Sequence, residues 1–221
     1  MREPMIRTLL AKPLDGAAIE ARSLEIIDRE APPHQFQPRE WTVVRRMIHA
    51  AADFTLADCT SFSPGAVDAA IAALKRGSPI YADSGMIRAG LSLARLRAAC
   101  PAYERERILC HVADEDVASQ ATNERLPRSL FAVRKAKAAL DCGIAVFGNA
   151  PVGLLELNRM ILEEQVRPAL VVAMPVGFVH VVESKQELMT LDVPWICVEG
   201  RRGGSTLAVA ALHALCGLCH E

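Results

Sequence analysis

From residue 78 onward, short β-branched runs alternate with stretches whose apolar residues recur every three or four positions, and this alternation constrains the fold most. Candidate strands are Pro79–Ala82, Arg107–Val112, Ile144–Phe147, Ala169–Ala173 and Trp195–Val198. Between and after them, helical patterns fall at about 87–99, 126–141, 151–164, 183–191 and 204–218. Strand, helix and strand in repetition build a mostly parallel sheet with helices on both faces. The runs Ala-Leu-Val-Val-Ala and Ile-Ala-Val-Phe are apolar throughout, as strands covered on both sides should be. Aromatic residues make up only 5% of the chain, which suits a helix-covered sheet better than an aromatic-packed sandwich.

The first 76 residues read as three helices instead, at about 17–29, 38–52 and 65–76. Pro32-Pro33 separates the first from the second, and Ser63-Pro64-Gly65 opens the third. A length of 221 residues supports one well-buried core. The expectation is therefore one domain over 1–221, with a helical N-terminal part (1–76) and an α/β part (77–221), arranged as a three-layer α/β/α fold. A net charge of −1 argues against a nucleic-acid partner, which calls for a basic stripe. No apolar run reaches the roughly eighteen residues a membrane span needs. Arg7 and Lys12 interrupt the opening segment, so it does not read as a signal peptide and a cytoplasmic protein is expected. The seven cysteines then read as thiols. Cys216-Gly-Leu-Cys219-His220 matches the haem-attachment pattern, but that chemistry follows export and needs chain around the porphyrin, so no cofactor is expected.

In parallel sheets ligands collect where strands turn into helices. The distinctive residues lie at those turns: Asp83-Ser84-Gly85-Met86, Gly148-Asn149-Ala150-Pro151, Met174-Pro175-Val176-Gly177-Phe178, and Glu199-Gly200-Arg201-Arg202-Gly203-Gly204-Ser205. Glycine turns that open helices present backbone N–H groups and partial positive charge, and guanidiniums add bidentate donors for carboxylate or phosphate. The rim thus reads as anion-binding, although neither G-x-G-x-x-G nor G-x-x-x-x-G-K-[ST] is present. In the second helix, Arg45, His49 and Asp53 are spaced four apart, away from the apolar stripe of Trp41, Val44 and Ile48. A histidine beside an aspartate in an apolar pocket makes a proton donor, and the same spacing also fits a solvated polar stripe. No H-x-x-x-H or H-E-x-x-H supports a metal site, and no G-x-S-x-G supports a serine hydrolase.

Taken in order, these segments resemble the precorrin-8X methylmutase family over about Ile19 to Leu215. The resemblance rests on Arg22-Ser23-Leu24, Arg46-Met47-Ile48-His49-Ala50, Phe62-Ser63-Pro64, Asp83 with Met86 and Gly90, Arg128-Ser129, and Gly148-Asn149-Ala150-Pro151. It continues through Pro175-Val176-Gly177-Phe178-Val179, Glu183-Ser184-Lys185 and Gly203-Gly204-Ser205. The resemblance implies a homodimer with its active site near the subunit boundary. It also implies a corrinoid substrate whose methyl group moves from C11 to C12 in a suprafacial shift, with or without cobalt. His49 takes the place of the catalytic acid. Arg128, Lys185 and Arg201 are expected as charged partners of the substrate's carboxylate arms, with Ser23, Ser129, Asn149 and the Gly203-Gly204 backbone as hydrogen-bond donors. Arg46, Asp83 and Ser205 complete the expected binding set.

Gly85, Val152 and His213 depart from the family pattern, where an acidic residue, a threonine and an asparagine are common. Two other readings stay open at this point: a corrinoid-binding homologue without turnover, and an unrelated α/β enzyme holding a nucleotide or phosphate at the same rim.

Overall fold

The structure, a computed structural model, describes residues 4–220. Met1 to Glu3 of the opening segment and Glu221 lie outside the described residues. The chain begins with α1 (Met5–Leu10), α2 (Gly16–Glu30), α3 (Pro38–Ala51) and α4 (Leu56–Cys59), followed by β1 (Thr60–Phe62) and α5 (Ala66–Lys75). Next come β2 (Ile80–Ala82), α6 (Gly85–Gly90), α7 (Leu93–Ala99), a 3₁₀ turn at Arg105–Arg107 and β3 (Ile108–Leu109). Helices α8 (Glu115–Glu124), α9 (Arg128–Lys135) and α10 (Lys137–Leu140) lead into β4 (Ile144–Phe147). The chain closes with α11 (Pro151–Glu164), β5 (Leu170–Ala173), α12 (Val181–Met189), β6 (Trp195–Val198) and α13 (Ser205–Leu218).

The six strands lie in the order β1-β6-β5-β4-β2-β3. All neighbours run parallel except β1, which pairs antiparallel with β6 at the edge. Alternate residues feed two cores, because successive side chains of a strand point to opposite faces. Ile144, Val146, Val172, Ile196 and Val198 pack under α3, α5 and α13. Tyr81, Ala145, Phe147, Val171 and Cys197 pack under α11 and α12. The expected α/β architecture with a mostly parallel sheet is what forms.

Helix α3 forms because its sequence closes both ends. Pro38 starts it, and the Gln37 backbone N–H donates to Glu40 Oε2 at 3.0 Å in a capping box. Val43, Val44, Met47 and Ile48 are buried and fix its roll against α13. Ala52 takes a left-handed φ of 51° and ends the helix.

Several expectations need correction. The helix expected over 87–99 breaks at Leu91, where Ser92 accepts the Arg95 N–H and caps a separate α7. The helix expected over 126–141 divides at Ala136 into α9 and α10. The strand expected over Arg107–Val112 pairs only at Ile108 and Leu109, being an edge strand with one neighbour. Strand β1 was not expected, since three residues carry no readable period. In the tail, Cys216 and Cys219 are buried at the end of α13. Burial pushes the Cys216 thiol up to about 12, so these are core sulfurs.

Candidate active site

Three of the expected residues meet in one cavity of about 390 Å³. Arg46 and His49 reach it from α3, Ser205 from the start of α13, joined by Met86 and Gly90 of α6 and by Thr206, Val209 and His213 of α13. The walls are positioned by close backbone approach. A Cβ at Gly148 would stand 2.7 Å from the Cα of Ser205, so only glycine lets the β4–α11 turn touch the start of α13. A Cβ at Gly90 would meet Val209 at 3.1 Å. The Ser84 and Ser205 hydroxyls lie 3.0 Å apart and tie the β2 turn to the same helix start.

His49 is half-buried in the last turn of α3. Its expected partners point elsewhere, which corrects the four-residue reading. Arg45 donates to Asp28 at 2.5 Å, and Trp41 Nε1 donates to the other oxygen of Asp28 at 2.8 Å. Asp53 lies past the left-handed Ala52, where helical spacing no longer applies. It accepts from Thr55 and from Arg202 instead. The positive groups that line the cavity with His49 are Arg46, whose guanidinium is paired with Glu20, and the N-terminus of α13, a 14-residue helix whose N-cap, Gly204, offers no side chain to its first N–H groups. Such an end attracts anions.

His213 was singled out in the sequence only as a departure. Its Nε2 accepts the Ser92 N–H at 3.0 Å, so the ring's proton sits on Nδ1. Burial, with help from Arg95 and Arg46, pushes its pKa down to about 4 and keeps it neutral. Thr206 and Val209 were missed because nothing but position on α13 marks them.

The remaining expected residues divide between the rim and other surfaces. Asp83 is buried, and its Oδ2 accepts the backbone N–H groups of Asn149 at 2.8 Å and Ala150 at 2.6 Å. Burial raises its pKa while those donors oppose the rise. Asn149 itself is exposed. Lys185 is only 1% exposed, and its Nζ donates to the carbonyls of Gly200 at 3.0 Å and Arg202 at 2.6 Å, holding the β6–α13 loop from beneath. Burial pulls its pKa down to about 8. Arg201 is exposed, with its guanidinium 5.5 Å from the centre of the exposed Phe178 ring. At Gly203 a Cβ would fall 2.2 Å from the Met174 carbonyl oxygen, which also accepts the Gly204 N–H at 2.8 Å. Outside the cavity lining, Arg128 is exposed at the start of α9, and Ser129 is buried against Gly153 of α11. The Ser23 hydroxyl donates to Ile19 within α2. Among the described residues no three His, Cys, Asp or Glu side chains gather as metal ligands. No described helix is long and apolar enough to cross a membrane.

Fold and cavity together define an α/β protein with a histidine in a positively framed pocket beside the carboxyl ends of a parallel sheet. The family profile described as precorrin-8X methylmutase matches residues 18–218. A cobalt-precorrin-8 methylmutase of Leptospira interrogans is 44% identical over 209 residues, covering 90% of this chain and 92% of that protein. A precorrin-8X methylmutase of Pseudomonas aeruginosa is 37% identical, covering 91% of this chain and 95% of its own length. The solved precorrin-8X methylmutase of Thermus thermophilus superposes with a TM-score of 0.85 at 48% identity, covering 92% of this chain and 96% of that one. The chain belongs to the precorrin-8X methylmutase family, isomerases of cobalamin biosynthesis.

Proposed function

We propose that this isomerase moves a methyl group from C11 to C12 of precorrin-8X or cobalt-precorrin-8 in the cytoplasm, giving hydrogenobyrinic or cobyrinic acid, with His49 as the proton donor. The observation that carries the reading is the placement of His49 in the cavity formed by α3, α6 and α13, beside Arg46 and the α13 N-terminus. A methyl shift within one molecule breaks the bond at C11 as it forms the bond at C12 and leaves the composition unchanged, so it needs no second substrate. It needs the macrocycle held in one geometry and its electrons drawn toward one edge. Proton donation by a positioned imidazole typically contributes about 10²–10⁴ in rate. Fixed orientation in a water-poor pocket supplies much of the remainder.

The rim suits a polycarboxylate. Arg46, Arg201 and the Gly203-Gly204 backbone serve the arms, with Asn149 and Ser205 as neutral donors. Lys185 and Asp83 act one step back by holding the two loops that present those groups. Met86, Val176, Phe178 and Val179 are large, apolar and exposed on the same rim turns. A partner subunit laid over them closes the site in a homodimer.

The test is to mix purified protein with precorrin-8X, with and without cobalt, and follow the absorption spectrum. Conversion of either form supports the reading. Tight binding of hydrogenobyrinic acid with no conversion leaves a corrinoid-binding protein without turnover. Thermal stabilisation by a nucleotide and not by a corrinoid points to the unrelated phosphate enzyme.

A further inference from the structure

The space around His49 does not end at Arg46. Behind Arg46 and His213, which line both, a second pocket of about 220 Å³ continues between α2, α3, α7 and α13. Glu20, Arg45 and Arg95 bring its charges, and Leu24, Ala214 and Leu218 its apolar wall.

The charges there are unevenly matched. Arg45 is engaged by Asp28. Arg46 and Arg95 share a single carboxylate oxygen, Oε1 of Glu20, bonded to Arg46 and 3.9 Å from Arg95. His213 adds no counter-charge, being neutral. Two guanidiniums thus converge on one carboxylate, which comes from a peripheral helix and is 39% exposed. Ion pairs this exposed hold weakly and exchange readily. A guanidinium pair recognises any carboxylate by the same forked geometry.

We infer, on the reading that the substrate is a polycarboxylate corrinoid, that this pocket is a subsite for one carboxylate side arm, which displaces Glu20 from Arg46 and Arg95. The arm's carbons lie against Leu24, Ala214 and Leu218, and its carboxylate takes the place that Glu20 fills in the free protein. Glu20 then acts as an internal competitor that keeps the two arginines paired until substrate arrives. Arg46 belongs to both pockets, so seating the arm also fixes the macrocycle edge facing His49.

The experiment titrates hydrogenobyrinic acid into wild type, Arg95→Gln, Glu20→Gln and the double variant, with steady-state kinetics on precorrin-8X and thermal melts as folding controls. Arg95→Gln should weaken binding roughly tenfold, the scale of one charge-assisted hydrogen bond, and raise KM more than it lowers kcat. Glu20→Gln should tighten binding about two- to five-fold, the scale of one exposed ion pair, and the gain should shrink when Arg95 is also replaced. Arg95→Lys, which keeps the charge and loses the fork, should fall between. Weaker binding in Glu20→Gln would make Glu20 a support for Arg46 and overturn the inference. Corrinoid binding in wild type with no change in Arg95→Gln overturns the subsite alone, whereas a wild type that binds no corrinoid overturns the functional reading with it.

Discussion

A Cβ at Gly148 would approach the Cα of Ser205 to 2.7 Å, so the turn after β4 and the start of α13 are fitted to each other without room for a side chain. The same contact sets how far Ser205 and Thr206 stand from His49 across the cavity. Gly148→Ala should push the α13 start outward, destabilise the fold by about 1–3 kcal/mol and lower kcat more than stability alone explains. Urea unfolding alongside steady-state assays would show it. An unchanged kcat would mean the helix start tolerates displacement.

Asp83 is the hydrogen-bond anchor of the same turn. Asp83→Ala strands the backbone N–H groups of Asn149 and Ala150, at a cost of about 1–3 kcal/mol. Asp83→Asn keeps an acceptor and removes a buried charge, so it should retain most of the stability. Because the folded pKa of Asp83 is raised, its ionisation above the ordinary carboxylate range opposes folding. The stability of Asp83→Asn relative to wild type should therefore increase as pH rises from 4 to 7.

His213 links stability to acid with the opposite sign. In the unfolded chain an imidazole protonates near pH 6.5, while in the folded protein it holds off to about 4. Between those values the unfolded state binds more protons, so falling pH favours unfolding. The urea midpoint should drop as pH is lowered from 6.5 toward 4, and His213→Asn, which can still accept the Ser92 N–H, should flatten that slope. Equal slopes in the two proteins would contradict the buried, neutral assignment.

Much of this molecule was legible before its structure. The strands at Ile144–Phe147 and Trp195–Val198 and the helix at 151–164 end where the apolar runs and the Pro151 start signal say they should. Those segments are covered on both faces or proline-opened, so local pattern and tertiary context agree. Strand β1 was invisible because its three residues exist as a strand only through pairing with β6. Helix α8 was missed because its polar sequence buries only Val117 and Ala121. The site divided along the same line. Turn chemistry put Asp83, Gly148, Gly203 and Ser205 at the strand-to-helix turns where they lie, whereas side-chain direction did not follow from spacing. Lys185 reads as a free cation in the sequence yet spends its donors on two loop carbonyls, and Asp53 leaves His49 once Ala52 turns the chain.

Lys185 accordingly makes a sharp prediction. Lys185→Met preserves the buried stem and leaves the Gly200 and Arg202 carbonyls without their donor. Melting temperature should fall, and KM should rise as the β6–α13 loop loosens around Gly203 and Gly204. If Lys185 instead met substrate directly, KM would rise with no loss of stability.

In the proposed reaction the imidazole of His49 acts on bound macrocycle. The direct measurement is single-turnover conversion of precorrin-8X by wild type and His49→Ala, with hydrogenobyrinic acid affinity determined for both. Loss of about 10²–10⁴ in the conversion rate at nearly unchanged affinity is the predicted result. Conversion by His49→Ala at the wild-type rate would contradict it.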